Sequence, residues 1–198
     1  MKIRFFILFL LVSISGSAQE LAFSKSPEKS SFGLGFDNDI WNKTDNYYTN
    51  GVSFTLTAPF LKKSPLNYIL IPFNKYNDTH SLYGLELKQE MYTPIDLVTP
   101  GIKPDDRPFA SLLYLSEFRV SNNMNRFVQY RSELQLGVIG NYALGEQTQS
   151  FIHVITPSEV PEGWDYQIKN DLILNYNFSV SKGLVKLKYF EWIYDISL

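Results

Sequence analysis

Tyr48-Thr49-Asn50-Gly51-Val52-Ser53-Phe54-Thr55-Leu56-Thr57 separates cleanly by parity. One parity carries Val52, Phe54 and Leu56; the other carries Thr49, Gly51, Ser53, Thr55 and Thr57. Successive side chains of a strand point to opposite faces, so this stretch predicts a strand with one apolar and one small, polar face. The split recurs over Phe127–Ile139, where Val128, Tyr130, Leu134, Leu136 and Val138 oppose Gln129, Arg131, Glu133 and Gln135. It recurs with Leu172, Leu174, Tyr176, Phe178 and Val180 against Asn175, Asn177, Ser179 and Ser181. A weaker copy sets Tyr83, Leu85, Leu87 and Met91 against Glu86, Lys88 and Glu90. Phe32–Asp39, Phe109–Val120 and Leu184–Ile196 complete about seven strand candidates, the last changing phase near Tyr189–Phe190 as a bulge or a misplaced boundary would.

These runs reach about 10 residues, the length a tilted membrane strand needs, where soluble sandwiches use about 5–6. Glu86, Lys88, Glu90, Arg131 and Glu133 cannot line a dry core, but they can pair inside a polar lumen. Composition agrees. Aromatic content is 16%, cysteine is absent, and mean hydropathy is −0.14, as expected when a lipid-facing parity alternates with a wet one. Net charge is −2, which gives no basis for a nucleic-acid partner. The fold class expected is all-β, an antiparallel transmembrane β-barrel. About seven strands do not close such a barrel, so the chain is expected to be the N-terminal part of a longer one.

The N-terminus sets the compartment. Lys2 and Arg4, the apolar run Phe5–Ile14 and the small residues Ser15–Ala18 follow the order of a secretory signal peptide. Residues 1–18 are read as that signal and 19–198 as a single barrel domain. Between the strands, Ser64–Thr79 and the proline-rich Thr93–Pro108 read as loops, with His80 as a solvated turn residue. Gly145–Pro157 breaks the period of two: Gln149, His153 and Thr156 share one helical face and Phe151, Ile152 and Ile155 flank it. This predicts a short helix on a long loop, its apolar flank packed on the barrel rim.

Polar residues gather at Asp37–Asn38–Asp39, Asn46–Gly51, Asp105–Asp106–Arg107 and His153–Gln167. No Gly-x-Ser-x-Gly elbow occurs in the mature chain, and two histidines without cysteine make no zinc site. A histidine amid oxygen donors remains. Such oxygens suit a hard cation such as calcium, and a neutral imidazole can take a proton from water. Equally, His153 on a loop helix can be structural, and Asp37 and Asp39 can be a solvated strand end.

Phe36-Asp37-Asn38-Asp39, Tyr47–Gly51, Gln89–Pro94, Asp105–Ala110, Gly145-Glu146-x-x-Gln149, His153 and Pro161–Gln167 occur in that order. The series resembles the outer-membrane lipid A 3-O-deacylase family, over roughly residues 31–171. The resemblance implies a twelve-stranded barrel in the outer membrane, with a site between the outer wall and a helix on an extracellular loop. It implies calcium-assisted hydrolysis of the ester of the 3′-linked acyloxyacyl chain of lipid A, with lipopolysaccharide as substrate and no obligate protein partner evident. By motif, His153 matches the histidine that activates water. Asn38 and Asp39 match the pair at the end of the first strand, Thr49 the active-site threonine, and Glu159 the acidic residue six positions after the histidine. Asp39 and Glu159 are thereby the expected metal ligands. Lys103, the only lysine in the loop after Tyr92-Thr93-Pro94, stands for the family's lysine at a different spacing. The competing readings are a non-catalytic barrel serving as pore or scaffold, and an outer-membrane phospholipase or esterase acting on glycerolipids.

Overall fold

The computed structural model describes residues 30–38, 50–73, 79–155, 161–187 and 190–197. The N-terminal segment, Asp39, Thr49, Pro157 and Glu159 lie outside them. Within the described residues, β1 (Ser31–Asn38), β2 (Asn50–Thr57), β3 (Thr79–Tyr92), β4 (Ala110–Asn123), β5 (Val128–Ile139), β6 (Asp171–Leu187) and β7 (Phe190–Ser197) form one antiparallel sheet in sequential order. This is the wall of an up-and-down barrel. Among the described residues one α-helix, α1 (Gly145–Ile155), sits on the β5–β6 connection.

The register turns the sequence parity into two faces. Leu34, Phe54, Leu87, Leu115, Leu136 and Leu174 stand directly opposite one another across six strands. All six are exposed, Leu174 at 71%. An unbroken cross-strand row of exposed leucine and phenylalanine is a patch a soluble protein avoids and a lipid-facing wall requires. On the other face lie Thr55, Glu86, Ser116, Gln135 and Asn175, again in one row. Their neighbours pair: Lys88 with Glu90 at 2.7 Å, Arg131 with Glu133 at 3.0 Å, Gln135 with Glu133 at 3.2 Å. Arg131 also lies 4.2 Å from the centre of the Phe118 ring. The charges forbidden in a dry core satisfy each other in a polar interior.

Two sequence expectations change. The phase break near Tyr189–Phe190 marks a strand boundary: β6 continues to Leu187, β7 begins at Phe190 and pairs back on it, and a register irregularity lies between Gly183 and Val185. His80 is solvent-exposed as expected, yet it belongs to β3, opposite Asn122, and not to a turn.

Candidate active site

The sheet has a turn end, where β4 passes to β5 through residues 124–127, and a loop end, where α1 sits. At the loop end Gln89, Met91 and Ser111 lie on the same face as the leucine row. They seat α1. The Gly145 N–H donates to Ser111 Oγ (3.3 Å), which satisfies one of the amides a helix leaves open at its start. Ser111 Oγ in turn donates to Gly140 O (3.0 Å), and Gln89 Nε2 donates to Ala143 O (2.6 Å). Leu144, in the left-handed region at φ 60°, turns the chain into the helix, a strained choice for a branched side chain. The helix therefore lies against the outer wall and not over the lumen.

The expected apolar flank is split: Ile152 is half-buried, and the most deeply buried side chain described on the helix is a polar one. Phe151 is exposed, whereas Gln149 is 1% exposed and accepts a hydrogen bond from Trp164 Nε1 at 2.8 Å. Trp164 packs with Met91 and Phe109, with Leu97 against the same cluster. Sequence periodicity misses this because a glutamine looks solvated until its partner arrives from fifteen residues downstream. Two glycines make the approach: a Cβ on Gly145 would stand 2.4 Å from Ser111 Cβ and 2.7 Å from Trp164 Cη2, and one on Gly163 would stand 2.2 Å from Phe109 Cε2. Gly145→Ala should thus unseat the helix. Overpacking costs about 1–3 kcal/mol, which outweighs the ~1 kcal/mol by which alanine favours helix over glycine. The expected result is faster proteolytic cleavage within α1 in detergent with the barrel intact; unchanged protection would show that the contact yields freely.

Four of the quoted motifs meet here. Met91 and Thr93, Phe109 and Ala110, Gly145 and Gln149, and Gly163 and Trp164 are all buried in or beside this cluster. Backbone bonds from Glu162 N to Leu97 O (2.9 Å) and from Ile168 N to Phe109 O (2.9 Å) bind the β3–β4 and β5–β6 loops into one platform. His153 stands half-buried in the last turn of α1, four residues after Gln149. Lys103 lies in the β3–β4 loop, where its Nζ donates to Asp96 Oδ2 at 2.7 Å. That bond, with the Thr99 amide, holds the Asp96 carboxyl well below the usual carboxylate range. Asp106 is likewise lowered, by the amides of Ile95 and Arg107. Both aspartates are thus loop clasps in this structure. Asn38 closes β1, opposite Asn50, which is itself opposite Met91, which is opposite Ser111. Asn38 therefore shares a cross-strand row with the seat of α1. Asp39, Thr49 and Glu159 lie outside the described residues.

A family model described as "Outer membrane protein LpxR" matches residues 5–198. The chain belongs to the LpxR family of outer membrane proteins. LpxR from Salmonella typhimurium is similar in structure, with a TM-score of 0.66 and 19% sequence identity over 85% of this chain. At that identity the likeness speaks for the fold. The chain spans 57% of the length of the Salmonella protein. No curated protein matches the chain in sequence. The LpxR match agrees with the outward leucine row and the polar interior, and it places the protein in the outer membrane.

Proposed function

We propose that this LpxR-family chain carries the site of a lipid A deacylase, in which His153 activates water to cleave the ester of the 3′-linked acyloxyacyl chain. The observation that carries the reading is the seating of the His153 helix on the outward, lipid-facing wall. An enzyme that cuts a chain buried in the bilayer needs its base on that side, and a pore would set it in the lumen. The span supports this. From Ser111 to Asn38 are three inter-strand steps, roughly 14 Å at ~4.8 Å each. An 11-residue helix is about 16 Å long, so one that starts at Ser111 can bring its last turn to the β1 end of the row.

The imidazole would take a proton from water as the water oxygen attacks the ester carbonyl carbon, and return it to the departing alkoxide as the C–O bond breaks. Among the described residues no group of three or more acidic, histidine or cysteine side chains gathers to hold a metal. By the motif match, a cation would draw on Asp39 and Glu159, with Asn38 and Thr49 as further oxygen donors. Every donor in that set is oxygen, which fits calcium. Bound calcium supplies stabilisation of the oxyanion, worth about 10²–10³ in rate for one positioned donor. Lys103 would assist the oxyanion only on leaving Asp96.

Mass spectrometry of lipid A from cells expressing the protein tests the reading. Loss of one acyloxyacyl unit is expected, abolished by chelation and restored by calcium. Intact lipid A beside hydrolysed glycerophospholipid would favour a phospholipase, and no hydrolysis at all a non-catalytic barrel.

A further inference from the structure

The β2–β3 connection folds back onto the outer wall at the turn end. Ala58 and Leu61 pack on Tyr83, and the Ala58 N–H donates to Tyr83 O at 3.1 Å. Ser64 Oγ donates to Glu117 Oε2 at 2.7 Å. The Tyr176 hydroxyl accepts from the Ile71 N–H (3.0 Å) and donates to Ile69 O (3.2 Å), and Phe73 stacks on Tyr130 with ring centres 3.6 Å apart. Tyr83, Glu117, Tyr130 and Tyr176 all belong to the parity of the leucine row.

Without this cover the wall could not face lipid there. Outward on β4, Leu113 and Leu115 are followed by Glu117 and Arg119. Between the seat of α1 and Glu117 the apolar stretch is therefore about four residues, roughly 13 Å along the strand, against the ~25 Å band a membrane barrel presents. Both charged groups are buried: Glu117, bonded by Ser64 of the connection, is 4% exposed, and Arg119 is 7% exposed, its Nη2 donating to Ser81 Oγ (3.3 Å) and its guanidinium 5.3 Å from the ring centre of Tyr83, on which the connection packs. In their place the connection turns Phe60, Ile69, Ile71 and Tyr68 (93% exposed) outward, with Lys62 and Lys63 exposed between them.

We infer that residues 58–73 form a membrane-facing sleeve that completes the lipid-facing band over β3–β6 and takes an anionic phospholipid headgroup on Lys62 and Lys63. Continuity with the leucine row names lipid as the occupant. Apolar and aromatic side chains beside two lysines are the composition that settles at a bilayer interface, with the ammonium groups reaching phosphate. The inference rests on the membrane placement of the barrel and not on the ester chemistry.

The chain has no cysteine, so Tyr68→Cys gives a unique attachment point for a polarity-sensitive fluorophore in the membrane-reconstituted protein. Asn125→Cys, in the exposed β4–β5 turn, supplies the aqueous reference. The label at position 68 should emit to the blue of the reference and resist iodide. Phosphatidylglycerol with brominated chains, at about a third of the lipid, should quench it about twofold more than brominated phosphatidylcholine. Lys62→Glu with Lys63→Glu should bring that ratio to one while deacylation stays unchanged. A label as open to iodide as the reference overturns the sleeve; a shielded label quenched equally by both lipids overturns the headgroup site.

Discussion

His153→Ala should abolish deacylation of lipid A while the barrel folds as before. Removal of a general base costs about 10²–10⁴ in rate, and added calcium cannot replace a proton acceptor. Folding should survive because the imidazole is half-buried on a loop helix, outside the hydrogen-bonded wall and outside the paired charges of the lumen. Two measurements together decide it: lipid A mass spectra from cells expressing the variant, and the heat-modifiable migration of the purified barrel. His80→Ala is the internal control, since His80 opens β3 at the opposite end of the sheet and lines no part of the platform. Wild-type turnover in His153→Ala with calcium present would end the general-base assignment and move attention to a hydroxyl, Thr49 first. Loss of turnover accompanied by loss of heat-modifiability would mean instead that the helix helps to hold the wall together.

The wall was legible because most of its strands obey one local rule, β4 with its outward Glu117 and Arg119 being the exception. Val52, Phe54 and Leu56 against Ser53, Thr55 and Thr57 need no knowledge of partners, since lipid on one side and water on the other impose the alternation strand by strand. Boundaries were less legible. Gly183–Leu187 belongs to β6 and Phe190–Ser197 to β7, yet both are apolar-rich, and only pairing separates a hairpin from a bulge. The platform was legible as a list of motifs and not as an object. Nothing in Gln149 alone announces that it will be buried, nor in Gly145 and Gly163 that each will be pressed against another loop. Those requirements arise where the β3–β4 and β5–β6 loops meet, far apart in sequence. The β2–β3 sleeve was hidden for the same reason: Ser64–Thr79 reads only as a loop, and nothing local announces that Ser64 will fold back to bond Glu117.

Trp164→Ala should be the most damaging change outside the proposed chemistry. The side chain is 2% exposed, its ring 5.0 Å from that of Phe109, and its Nε1–H is the bond that holds Gln149 down. Truncating a buried tryptophan costs about 3–5 kcal/mol, here drawn from the platform and not from the strand ladder. The barrel should therefore migrate normally while α1 loses protection from proteases and hydrogen exchange. Deacylation should fall with it, because a shift of about 1 Å in a positioned group can cost 10²-fold. Trp164→Phe separates the two contributions. It keeps most of the ring contact with Phe109 and Met91 but leaves Gln149 Oε1 buried without its donor, a loss of about 1–3 kcal/mol. The expected order of protection and of turnover is wild type, then Trp164→Phe, then Trp164→Ala. If the phenylalanine variant matched wild type, the Gln149 bond would contribute nothing to seating the helix. If the alanine variant did so, the cluster would not be what positions His153, and the Ser111 and Gln89 contacts at the start of α1 would have to hold it unaided.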